Sequence, residues 1–372
     1  MFWKTSKVTR SALFILALIG IGAITIVEFT LHKVKQPWFE SKLAATKLTQ
    51  QAHRAIYSAV SDKKIVVDKI TDPNETGLIG EQFTLITTDQ GDLESKLTST
   101  NPNWAGVIVH LLKRAGVEKG DYVAVAWTGS MPAMNMAVLA AIETIGAIPV
   151  IITSIGASMW GANNPDFSWL DMEKLLFDKG IFHYRSVAAS IGGRSDRGAN
   201  ISPEGRKLCR EIAKRNNIPL IEEETLDESI QTRMEIYQKH IPSGRKYSAY
   251  LNVGGGIASV GSAHNVRGIK PGLTKNFPLQ NYPIRGAMIR FGLEGIPIID
   301  ITLVKKLAQK YGLPMAPHPI PEPPAGEVFF NEQYRTEFVL LIFILYSLLT
   351  FIVIRIDVVE YFKRRRKKTD TN

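Results

Sequence analysis

Ser130 is the residue with the clearest chemical candidacy. It stands in Trp127-Thr128-Gly129-Ser130-Met131-Pro132, between a short apolar, β-branched run (122–127, YVAVAW) and an alanine-rich run at helical spacing that ends at Gly146. This spells strand, tight turn and helix, a setting that resembles a nucleophile elbow although G-x-S-x-G is absent. As a helix N-cap Ser130 does no chemistry, and that bland role is the favoured one. As a nucleophile it needs a base, His264 or His183, and a carboxylate to orient that base, Asp300 or Asp171. Asp171 and Glu173 are two positions apart, so a helix points them to different faces, where they serve as first-turn acids.

Other small polar residues cluster in the same kind of place. Thr128 and Gly129 precede Ser130, and Asn135 follows in the helix. Ser154, Gly156 and Ser158 follow a second apolar run (149–152), with Asn163 just beyond. Asn252 lies near the end of a third (247–253), and Gly254, Gly255, Gly256 and Ser259 follow it. Hydroxyls, amides and glycine N–H groups beside helix starts suit a carboxylate or phosphate-like group. The glycine run is followed by no Gly-Lys-Ser/Thr and lacks the dinucleotide spacing, so neither nucleotide motif is present. His110, His240 and His318 stand without ligand spacing; no metal and no cofactor is expected.

The elements that must hold these loops alternate. Strands are expected at 122–127, 149–152, 218–221, 247–253 and 296–299, with a further short one at 83–86. Helices are expected at 103–116, 132–146, 169–178, 203–216, 226–240, 287–293 and 302–311. Such alternation predicts an α/β fold: a mainly parallel, Rossmann-like three-layer sheet domain whose ligand lies outside the carboxyl ends of the strands. The glycine loop 192–198 is expected to be a mobile lid, and 91–102 either a binding loop or a cap for the next helix.

Two apolar runs flank this domain. The segment 11–31 follows Lys4, Lys7 and Arg10, and 338–356 precedes the basic block 363–368. Both have spanning length, and both basic flanks belong on the cytoplasmic side. The expected organisation is therefore a cytoplasmic N-terminus (1–10), a transmembrane helix (11–31), a stalk helix and leading segment (32–101), an extracytoplasmic α/β domain (102–313), a proline-rich spacer (314–337), a second transmembrane helix (338–356) and a basic cytoplasmic tail (357–372). The nine basic residues named at the two ends account for nearly all of the net charge of +10. High charge thus reports membrane topology; the tail suits anionic lipids, and no nucleic-acid partner is expected. The single cysteine, Cys209, excludes an intrachain disulfide framework.

The phrases TSTNP (98–102), AWTGSMPAMN (126–135), ITSIGASMWGANNP (152–165), WLDME (169–173), YRSVAAS (184–190) and NVGGGIASVGS (252–262) resemble the poly-γ-glutamate system protein family of bacteria. The resemblance spans nearly the whole region between the apolar runs. It implies an accessory role in poly-γ-glutamate (capsule) synthesis or export beside the synthase membrane subunits, with the polymer chain as ligand. It brings no catalytic residues. A binding component holding polymer carboxylates is slightly favoured over an extracytoplasmic hydrolase or transferase of γ-glutamyl bonds, since no complete nucleophile–base arrangement is visible.

Overall fold

The computed structural model describes residues 10–355, apart from the side chains of Ala263, Arg267 and Arg355. Lys4, Lys7 and the basic block 363–368, assigned above to the cytoplasmic side, lie outside the described residues.

In chain order the elements are α1 (Arg10–Glu28), β1 (His32–Lys35), α2 (Phe39–Asp62), α3 (Leu93–Ser99), α4 (Trp104–Ala115), β2 (Tyr122–Thr128), α5 (Pro132–Ile145), β3 (Ile148–Ser154), α6 (Trp169–Asp178), β4 (Ala188–Ser190), α7 (Pro203–Arg215), β5 (Leu220–Ile221), α8 (Leu226–Lys239), β6 (Tyr247–Val253), α9 (Ile257–Val260), α10 (Ala263–Arg267), β7 (Gly272–Thr274), α11 (Ala287–Leu293), β8 (Ile298–Asp300), α12 (Val304–Lys310), β9 (Phe330–Gln333) and α13 (Thr336–Arg355). They form two compact units, one of both chain ends and one of Gln36–Phe329.

In the unit of the ends, α1 and α13 are each apolar and long enough to cross a membrane. They pack together, the Tyr346 hydroxyl donating to the Leu16 carbonyl at 3.2 Å. β1 and β9 pair antiparallel beside them.

The unit Gln36–Phe329 is mixed α/β around a seven-stranded sheet ordered β5-β4-β3-β2-β6-β8-β7, parallel throughout except for β7 against β8. β2, β3 and β6 are buried along almost their whole length, which is why their sequences are mostly apolar and do not alternate with polar residues. From β2 the chain winds outward through β3, β4 and β5, then returns to the other side of β2 for β6 and β8. The direction of winding therefore reverses between β2 and β6. Ala124, Ala126, Val150 and Ile152 pack with an aromatic group from α8, β6 and α11, where Tyr237 meets Phe291 edge to face at 5.4 Å.

Several expectations are corrected. The stalk helix is no stalk: α2 buries Lys42, Ala45, Thr46, Thr49, Ala52, Ile56, Ala59 and Val60 in one stripe against α4 and α5. The Lys42 ammonium, pulled down to about 8 by burial, donates to the Val328 carbonyl at 2.7 Å. The proline-rich segment is no spacer up to residue 325, because it is fastened to the domain: Ala316 N–H donates to Thr98 Oγ1 at 2.9 Å and Ala325 N–H to Asn103 Oδ1 at 3.0 Å. Residues 83–86 form no strand; a single bridge joins Thr87 to Ala157. β4 falls in the segment 186–190, for which no strand was expected, and β7 in the irregular stretch after 269. The glycine loop 192–198 is pinned at its centre: the Asp196 side chain is completely buried and ion-paired to Arg233, which rules out a loose lid.

Candidate functional site

The site is assembled from turns that leave the carboxyl ends of β2, β3 and β6, on either side of the point where winding reverses. Gly254, at φ +82°, turns the chain sharply as β6 ends, and a side chain there would stand 3.1 Å from Thr128 Oγ1. Gly256 approaches the same threonine and the Ser154 hydroxyl, and Gly255 is exposed at the tip. The turn after β3 passes close to that after β2, since a Cβ on Gly129 would come within 2.8 Å of the Ile155 carbonyl, and close to the chain leaving β4, since one on Gly156 would come within 3.0 Å of the Ile191 carbonyl. Thr128, Gly129, Ser154, Gly156, Gly254 and Gly256 are thus gathered at one edge.

Ser130 and Ser158 meet in this edge. Helix α5 begins at Pro132 with Met131 in the cap position, so Ser130 is not the cap expected of it. Its backbone N–H donates to Thr128 Oγ1 at 3.1 Å, and its hydroxyl oxygen accepts from the Ser158 N–H at 3.0 Å. The Lys96 ammonium reaches in from α3, donating to the Ser130 carbonyl and, at 2.7 Å, to Ser158 Oγ. Lys96 is 2% exposed, and burial pulls its pKa down to about 7 against a small upward pull from Asp92. Both serines are partly exposed.

The bases and carboxylates once paired with Ser130 are placed otherwise. No hydrogen bond joins Ser130, His264 and Asp300 among the described residues. His264 is exposed on α10. His183 precedes β4, where its N–H and ring pair with Glu143 of α5 at 2.6 and 3.1 Å, at the opposite edge of the sheet. Asp171 is spent on the capping box of α6 and on Arg215, whose Nε donates to it at 2.8 Å. Glu173 is buried, accepts from Ser186 N–H and Oγ at 3.0 and 2.8 Å, and is pushed up to about 7 by that burial.

Asp300 ends β8 beside Asn252, whose amide donates to it at 2.8 Å, while the Thr302 hydroxyl donates at 2.6 Å. Its other oxygen is buried without a partner, and burial raises its pKa, with Thr302 and Asn252 opposing. Ser259 extends this chain, donating to Asn252 Oδ1 at 2.7 Å and bonded to the Tyr250 hydroxyl at 2.8 Å. Under the ends of β3 and β4 lies a second polar cluster, in which Asp196 accepts from Ser190 (2.8 Å), Ser229 (2.6 Å) and Arg233 (2.8 Å). Burial pulls the Arg233 pKa down, but Asp196 together with Tyr237 and Tyr250 pulls it up, and the net shift is upward.

Two predicted ligand residues are occupied by structural bonds. Asn163, fully buried, clamps Glu81 and Thr87 through its amide at 2.7 and 3.0 Å. Asn135 holds the Thr128 carbonyl at 3.0 Å and leaves its own oxygen unpartnered. Beyond Asn163, on the far side of the 160–162 turn, lies a cavity of about 320 Å³ lined in part by Val60, Gly77, Trp160 and Phe167.

Lys96, Asp196 and Arg233 were missed from sequence. The sole signal for Lys96 was a lysine within a hydroxyl-rich helix turn, LESKLTST (93–100). Comparison with protein-family models, with curated sequences and with solved structures finds no match to this chain.

Proposed function

We propose that the chain is a membrane-anchored accessory component of poly-γ-glutamate synthesis and export, holding the polyanionic chain at the edge formed by β2, β3 and β6. In this reading the sheet domain is Rossmann-like and three-layered and lies outside the cytoplasmic membrane. Both termini are cytoplasmic, the two apolar helices contact the synthase membrane subunits, and the basic tail contacts anionic lipid. The observation that carries it is the convergence of the 128–130, 154–158 and 254–256 turns where winding reverses, the position at which parallel sheets accept ligands. The exposed Arg194 and Arg197 on the loop that follows β4 add positive charge at this edge for a carboxylate-bearing chain.

Binding of poly-γ-glutamate to the purified full chain in detergent tests this. Affinity is expected to fall with added salt and to drop about tenfold or more in the Arg194→Ala/Arg197→Ala double variant, equivalent to about 1.4 kcal/mol. Binding that ignores salt and both arginines, or no binding at all, would refute the polymer assignment. Ser130 as the nucleophile, with His264 and Asp300, draws no support from the hydrogen bonds described above.

A further inference from the structure

A lysine buried to 2% exposure is normally paired with a carboxylate, because an unpaired ammonium loses its hydration without return. Among the described residues Lys96 has no such bond. Its hydrogen-bond partners are a carbonyl, from Ser130, and a hydroxyl, from Ser158. The charge acting on it is Asp92, in the N-cap position of α3, which bonds Ser95 and pairs with Lys305 of α12 at 2.9 Å. The turns of β2 and β3 that face Lys96 present hydroxyls and carbonyls to it. A purely structural tie between α3 and two turns would be served as well by a neutral donor. With its pKa pulled down to about 7, Lys96 is in part a free amine at neutral pH; its nitrogen lies 2.7 Å from the partly exposed Ser158 hydroxyl, to which the ammonium donates and from which the neutral amine can accept.

We propose that Ser158 and Lys96 form a serine–lysine dyad for acyl transfer, with Ser158 as nucleophile, Lys96 as general base, and an amide or ester carbonyl as substrate. The neutral Lys96 amine takes the Ser158 hydroxyl proton as Oγ bonds to the acyl carbon. The C–N or C–O bond to the leaving group then breaks, and the Lys96 ammonium returns the proton to the departing amine or alcohol. Water attacks the resulting ester of Ser158, giving its proton to Lys96, which passes it to Oγ as the acid leaves. Ser130 is a positioning residue: its hydroxyl accepts the Ser158 N–H at 3.0 Å and fixes the turn that carries the nucleophile. The dyad occupies the edge described under the preceding heading but does not depend on the polymer as ligand, so the two can fail separately.

A fluorophosphonate probe applied to the full chain in detergent, with no polymer present, tests the dyad. Intact mass and peptide mapping should place one label on Ser158, abolished in Ser158→Ala. Lys96→Met, which keeps the buried stem, should slow labelling about a hundredfold or more while thermal unfolding confirms the fold. The wild-type rate should climb with pH through about 7, as Lys96 gives up its proton. Should Lys96→Met not fold, the wild-type pH profile and Ser158→Ala decide the matter. No label, a label on Ser130 or another residue, or a rate that is flat between about pH 5 and 9 would overturn the proposal.

Discussion

Glu173 shows how a single buried side chain sets a pH limit on this domain. Its carboxyl closes a chain of bonds that runs from the Trp127 indole to Thr153 (2.6 Å), on to Ser186 (2.6 Å) and then to Glu173 (2.8 Å), joining β2, β3, α6 and the segment before β4. Burial raises its pKa to about 7, so the folded state favours the protonated form. The stability this form contributes is complete below the ordinary glutamate value and is lost as pH climbs through about 7. Between about pH 5 and 7 Glu173 should therefore add a downward slope to the melting temperature of the wild type, which Glu173→Gln should remove. An unchanged slope in the variant would remove Glu173 as its source. Burial acts in the same direction on Cys209: with its pKa pushed up to about 12, its thiol is inert packing.

At the scale of elements, α2 and α3 were the most misleading in sequence. The buried stripe of α2 has only Ile56 and Val60 as large apolar residues among alanines, threonines and one lysine, so it does not look apolar, yet its small residues let the helix lie close against α5. Ile56, with no exposed surface, anchors the contact. Ile56→Ala should cost about 2–5 kcal/mol in denaturant unfolding, and Ser58→Ala on the exposed face close to nothing. Equal and negligible costs would return α2 to the role of a stalk. α3 matters for a different reason: this helix brings Lys96 to the turns of β2 and β3, and it is held there from the other side by Thr98 and Asn103, which fasten the proline-rich segment.

For the whole molecule the questions are whether the sheet domain lies outside the cytoplasmic membrane, as proposed, and how much of its order could be foreseen. Because Cys209 is buried, a cysteine at the exposed position 238 offers a unique reporter. In whole cells, Gln238→Cys should react with a membrane-impermeant maleimide without permeabilisation; labelling that requires lysis would place the domain in the cytoplasm and defeat the topology proposed here. The long strands β2, β3 and β6 were legible because each is buried on both faces and so is mostly apolar, with polar residues at the ends of β2 and β3 and only Ser248 and Asn252 within β6. β4 and β7 span three residues each, too few for any periodicity, and exist because a neighbouring strand offers hydrogen bonds, whereas β5, of two residues, falls within the strand expected at 218–221.

The sequence by itself determined the two apolar helices, the alternation that builds the sheet, and the small polar turns at its strand ends, because each of these is a property of neighbouring residues and their hydration or backbone preferences. Only the tertiary structure decided that Lys96 meets Ser158 across 62 positions, that Asp196 is held by Arg233, and that α2 belongs to the domain. Those contacts depend on which distant groups are desolvated together, and burial is settled by the packing of the entire chain.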